Sequence, residues 1–118
     1  MKIKTDNYLK KKIVSLLFGE KLYHKIKLYK IIYDFKIGKS YEDAEKILPK
    51  LIDTSAVVID IGANMGQYAC RLNKFIKNGL VYSIEPFISN YNALTDMKNI
   101  LKLNNVKANH LAISDKNS

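Results

Sequence analysis

Val57-Val58-Ile59-Asp60-Ile61-Gly62-Ala63-Asn64-Met65-Gly66-Gln67-Tyr68 is the stretch on which the fold turns. Its first part, from Ala56 to Ile61, is almost continuously β-branched or aliphatic and reads as a strand that can be buried on both faces, as a central parallel strand must be. The chain then has to turn sharply. Gly62 can take a backbone conformation closed to other residues and removes a side chain that would fill ligand space, while Gly66 lets the next helix pack close to the strand. Gln67 to Ile76 reads as that helix, with Tyr68, Leu72, Phe75 and Ile76 on its apolar side and Asn78-Gly79 as the stop. Its unpaired first-turn amides would face the ligand.

Leu80 to Ile84 reads as the second strand, ending in Glu85, with Pro86 marking the exit. The 25 residues from Asp60 to Glu85 suit a strand end, a three-turn helix and a return strand. A carboxylate at that strand end can accept both hydroxyl protons of a ribose, so the loop and Glu85 together point to a nucleoside-containing cofactor. Two cofactors compete for this geometry. A pyrophosphate is doubly anionic and prefers bare amides, whereas the loop's middle position is Asn64 and Asp60 stands at the strand end. A cofactor with an α-amino group and a sulfonium profits from a nearby carboxylate, which favours S-adenosylmethionine over NAD. Asn90 to Lys102 reads as a second crossover helix with Tyr91, Leu94, Met97, Ile100 and Leu101 inward, and Asn104-Asn105 as the turn into a third strand from Val106 to about Leu111.

The Val57–Tyr68 motif, followed by Val81-Tyr82-Ser83-Ile84-Glu85-Pro86, resembles the FkbM-type family of S-adenosylmethionine-dependent methyltransferases. The likeness continues through Asn90, Leu94, Asn99, Asn104-Asn105-Val106 and Ala112-Ile113-Ser114-Asp115. It implies an α/β, Rossmann-like class I methyltransferase fold that transfers a methyl group, typically to a hydroxyl of a sugar or small molecule. By the same resemblance Asp60, Gly62, Ala63, Asn64 and Gly66 fall on the methionine-side loop, Glu85 on the ribose-binding acid, and Ala112 in the adenine-contacting stretch from Leu111 to Ile113. Asp60 then reads as a cofactor-positioning acid, with a structural role or a general base as alternatives. Asn64 either caps the following helix or contacts the cofactor, and no residue is assigned as catalytic. A complete fold of this kind has further strands, so three mean a truncated core whose first strand lacks a far-side partner. Such an apolar edge invites self-association or a completing polypeptide, and the alternative function is a non-catalytic cofactor-binding or partner module.

Composition sets the outer limits. A chain of 118 residues with 47% apolar content is one domain with a modest core, read as a basic helical extension over 1–53 that packs on the sheet and a partial S-adenosylmethionine-binding domain over 54–118. Residues 1–50 hold 13 lysines against 6 acids, a net of +7, whereas 51–118 hold 7 basic residues against 5 acids, a net of +2. Lys10, Lys11 and Lys12 precede the apolar patch Ile13-Val14 and Leu16 to Phe18. A second segment places Leu22, Ile26, Tyr29 and Tyr33 at helical spacing, widened by Leu28, Ile31, Ile32 and Phe35 and flanked by Lys21, Lys25 and Lys30. Such helices either cap the sheet or lie on an anionic membrane surface. Ser40 is an N-cap candidate with Asp43 three residues on, and Ala44, Ile47, Leu48 and Leu51 follow with helical periodicity, with a break or kink expected at Pro49.

The remaining classes are narrowed by residue type. Arg71 is the only arginine, so base readout in nucleic acid is not expected, although the +9 charge suits an acidic acceptor such as a charged glycan. Cys70 stands alone, which excludes an internal disulfide or a cysteine-based metal cluster, and it reads as a small buried helix residue. His24 and His110 read as packed or solvated, and no metal site is expected. Lys21, Lys25, Lys27 and Lys30 interrupt the apolar run that a leader peptide would need, and no uninterrupted apolar stretch would span a bilayer. A cytoplasmic location follows as the default, with peripheral membrane contact as the second expectation.

Overall fold

The computed structural model describes residues 2–39 and 44–116. In chain order the elements are α1 (Lys2–Phe18), α2 (Glu20–Lys36), α3 (Ala44–Leu51), β1 (Val57–Ile61), α4 (Gln67–Phe75), β2 (Leu80–Ile84), α5 (Ile88–Leu101) and β3 (Val106–Asn109). The three strands form one parallel sheet in the order β1-β2-β3, with Val57 opposite Leu80 and Val81 opposite Val106. This is the truncated Rossmann-like core expected from the sequence: a three-stranded parallel sheet flanked by helices. β2 matches its expected bounds, whereas β3 stops at Asn109, two residues early.

Burial alternates along β2, with Val81 and Ser83 at 0% exposure and Tyr82 exposed. Because side chains alternate between the faces of a strand, the covered face is the one bearing Val58, Asp60, Val81, Ser83 and Val106. Ala69, Cys70 and Leu72 of α4, Leu94 and Met97 of α5, and Ile76 and Leu103 beyond their ends complete that core. Cys70 is buried there, as read from the sequence. The opposite face is bare. Val57, Ile59 and Ile61 are 64%, 62% and 65% exposed, which corrects the reading of β1 as buried on both faces: among the described residues every covering helix lies on one side.

Helix α2 forms a third layer over α4 and α5, and α1 packs mainly on α2. The sequence reading placed the α2 stripe on Leu22, Ile26, Tyr29 and Tyr33, which are exposed, and widened it with Leu28, Ile31, Ile32 and Phe35, which are the residues that face inward. The inward row is Leu28, Ile31 and Ile32 with Phe35 half-buried, together with Asp34, which Lys30 Nζ meets at 2.8 Å. Both rows have helical spacing, so periodicity alone could not choose between them. Ser40 and Asp43 lie outside the described residues. Helix α3 continues through Pro49 to Leu51 without the expected break.

Candidate functional site

The loop between β1 and α4 is built from three residues with positive φ: Gly62 at 73°, Asn64 at 53° and Gly66 at 96°. Its opening is tied to the sheet, because the Gly62 and Ala63 amides both donate to the Ile84 carbonyl at 2.9 and 3.0 Å. A Cβ on Gly62 would meet nothing within 4 Å, so that glycine borders open space at the carboxyl end of the sheet. Gly66 is different. A Cβ there would stand 2.8 Å from Met97 Sδ and 3.0 Å from Leu94 Cδ1. Its close approach is to α5, not to the strand as expected, because α5 lies beside the α4 N-terminus. Ala63 and Met65 are buried beneath the loop.

Glu85, at the end of β2, is 2% exposed. The Asn64 amide donates to its Oε2 and the Phe87 amide to its Oε1, each at 2.8 Å. The carboxylate therefore braces the glycine loop against the exit of β2, using charge-assisted bonds to amides that would otherwise lack partners. The Asn64 side chain caps no helix: its Oδ1 accepts from Asn90 Nδ2 at 3.1 Å, and Gly66 is the α4 N-cap. Of the two roles open for Asn64, helix capping is thereby removed. The first turn of α4 has no side-chain cap, which leaves its amides to other partners.

Asp60, the next-to-last residue of β1, lies on the covered face, where its Oδ2 and the Ser83 Oγ are both buried without a hydrogen-bond partner. Burial raises its carboxyl above the ordinary aspartate range; the neighbouring Ser83 hydroxyl, close by though outside hydrogen-bond geometry, offsets part of that rise, and Glu85 adds to it. Ala112 is exposed on the irregular segment beyond β3. His110 ties the start of that segment to the loop after β2, with its Nε2 2.9 Å from the Pro86 carbonyl and its ring stacked on Tyr91 at 5.2 Å.

The loop also borders a cleft of about 350 Å³, lined on the sheet side by Gly62, Ala63, Asn64, Gln67 and Tyr68 and on the α2 side by Lys27, Lys30 and Ile31. Sequence reasoning missed Lys27 as a site neighbour, missed Tyr91 and Asn90 as loop supports, and gave His110 only a packed or solvated role. Nothing in their spacing announces these contacts, since each depends on where α2 and α5 come to rest. Among the described residues no group of three His, Cys, Asp or Glu side chains could hold a metal ion.

No protein-family model matches the chain, and no curated protein matches it. Among solved structures it is similar to a SAM-dependent methyltransferase from Aquifex aeolicus, at 30% identity and a TM-score of 0.52 over 59% of this chain. The chain spans 38% of the length of that protein. A glycine loop closed by an acid at the next strand end is thus set in a fold that resembles a SAM-dependent methyltransferase core.

Proposed function

We propose that this chain is the cofactor-binding part of an FkbM-type S-adenosylmethionine-dependent methyltransferase that methylates a hydroxyl of a sugar or other small molecule. The observation that carries the reading is the Gly62–Gly66 loop, open above Gly62 and pinned by Glu85 through the Asn64 amide. The residues fit the cofactor: Gly62 leaves room for it, and the orphaned Asp60 Oδ2 is an acceptor in want of a cationic or hydrogen-bonding partner. When bound, S-adenosylmethionine supplies an electrophilic methyl group. Glu85 would share its remaining lone pairs with ribose hydroxyls while holding the loop, and Asp60 would favour the positively charged methionine end. Gly62, Ala63, Asn64 and Gly66 would line the methionine side and Ala112 the adenine side. Alignment and deprotonation of an acceptor hydroxyl fall to groups that the described residues do not identify. A cytoplasmic location, and an acidic acceptor such as a charged glycan, belong to the same proposal.

A second reading is favoured by one observation: the bare face of Val57, Ile59 and Ile61 beside the open edge of β1. On it, the chain is a binding module completed by another polypeptide or by self-association. Isothermal titration of the 118-residue chain with S-adenosylhomocysteine, with NAD as competitor, tests the first reading. Saturable binding, reduced about tenfold or more by Glu85→Ala and not reproduced by NAD, is the expected result. No binding by a folded sample would remove the methyltransferase reading and leave the module.

A further inference from the structure

Helix α1 has two sides with different surroundings. Toward α2 it turns Val14 and Ser15, both half-buried, and Lys11, whose ammonium lies 5.7 Å from the Tyr23 ring centroid. The other side presents Leu9, Ile13, Leu16 and Leu17, which are 57%, 47%, 75% and 69% exposed. Their i, i+4, i+7, i+8 spacing makes one continuous stripe on a 3.6-residue helix. By the same period Lys12 borders the stripe on one edge and Lys10 on the other. α1 carries five lysines against one acid, Asp6, which lies in its second turn four residues before Lys10.

We propose that α1 is an interfacial helix, which lays the Leu9, Ile13, Leu16 and Leu17 stripe into an anionic lipid surface with Lys10 and Lys12 reaching the headgroups. Charge complementarity identifies the occupant. The first 50 residues carry a net +7, against +2 for the remainder, so the positive charge is concentrated in the half of the chain that bears the stripe. A second copy would bring an equally basic helix against it, which like-charge repulsion opposes. An anionic membrane takes up the leucines and attracts the lysines together, because lysine stems lie along apolar surface while their ammonium groups remain in the headgroup layer. No helix among the described residues is long and apolar enough to cross a membrane, so lying in the interface plane is the mode open to α1. The inference is independent of the cofactor assignment, since no residue of the stripe lies near the glycine loop in sequence or lines its cleft.

The test is co-sedimentation of the 118-residue chain with phosphatidylcholine vesicles, with and without roughly one third phosphatidylserine. Uptake is expected on the anionic vesicles and not on the neutral ones, and it should fall as salt is raised. Leu16→Glu should lower the partition about tenfold or more, and Lys10→Gln with Lys12→Gln several-fold. Ile100→Glu, on α5 and exposed rather than inward as its spacing suggested, should leave it unchanged. Leu16 is exposed, so circular dichroism should show an unaltered fold in its variant. Equal uptake on both vesicle types, no uptake, or a Leu16→Glu variant that binds as well as the parent would overturn the proposal. So would a dimer in sedimentation equilibrium that Leu16→Glu dissolves without any vesicle uptake by the parent.

Discussion

Both faces of the sheet carry β-branched aliphatic residues, and these stand in opposite circumstances. One buries Val81 and Val106 completely beneath α4 and α5; the other leaves Val57, Ile59 and Ile61 about two-thirds exposed. Aliphatic character therefore does not report burial in this molecule; the position of the crossover helices does. Both helices return over the same face, so the strands' stability is drawn from one side while the glycine loop is displayed at their carboxyl ends.

Truncating one residue on each side separates the two faces. Leu94→Ala, at 0% exposure under the covered face, should cost about 3 kcal/mol and lower the urea midpoint steeply or prevent folding. Ile59→Thr, on the bare face, should stay within about 0.5 kcal/mol and improve solubility. Equal losses at the two positions would mean that the bare face is covered in solution, and ultracentrifugation would then show the covering copy.

The same division separates two glycines of one loop. Gly66→Ala forces a Cβ against Met97 and Leu94 at positive φ, with an expected loss of about 2 kcal/mol in denaturant melts. Gly62→Ala meets open space, so only its left-handed backbone is penalised, at about 1 kcal/mol. Its larger effect should be on S-adenosylhomocysteine titration, where the new methyl group enters the proposed ligand space. If Gly66→Ala proved the milder of the two in melts, the packing of α4 against α5 would be looser than described.

How much of this was legible before the structure follows from the range of the interactions. The strand, loop, helix and return strand from Val57 to Ile84 were readable because local steric requirements set them: β-branched runs, glycines where φ is positive, and an Asn-Gly stop. The placement of Asp60 and Glu85 at adjacent strand ends was readable for the same reason. What escaped depends on tertiary contact. Leu22, Ile26, Tyr29 and Tyr33 have the same period as the buried row of α2, and only docking on α4 and α5 decides between the rows. The tie from Glu85 to the Asn64 amide, and the Asn64 to Asn90 contact, span 21 and 26 residues and leave no local pattern. Pro49 misled because the helix continues through it to Leu51, and nothing in the structure explains why.

The smallest effect concerns Asp60, where the covered face meets the site. Its raised carboxyl means that the folded state disfavours the ionised form relative to the unfolded chain, chiefly through burial. The stabilising contribution belongs to the protonated form: it is complete below the unfolded-chain value and is lost as pH rises through the folded-state value. Above the folded-state value the ionised group is therefore a burden. Asp60→Asn removes that charge and supplies a nitrogen that can donate to the unpartnered Ser83 Oγ, so it should stabilise the ligand-free chain by about 1 kcal/mol, a few degrees in Tm. The gain should shrink as the pH is lowered, because wild-type Asp60 then takes up its proton. If Asp60 also meets a cationic ligand end, the substitution should weaken S-adenosylhomocysteine binding while raising Tm. Thermal melts across pH, paired with titration of the same variant, read both effects, and a variant less stable than the parent at neutral pH would show that the carboxylate is satisfied by a partner absent from the described contacts.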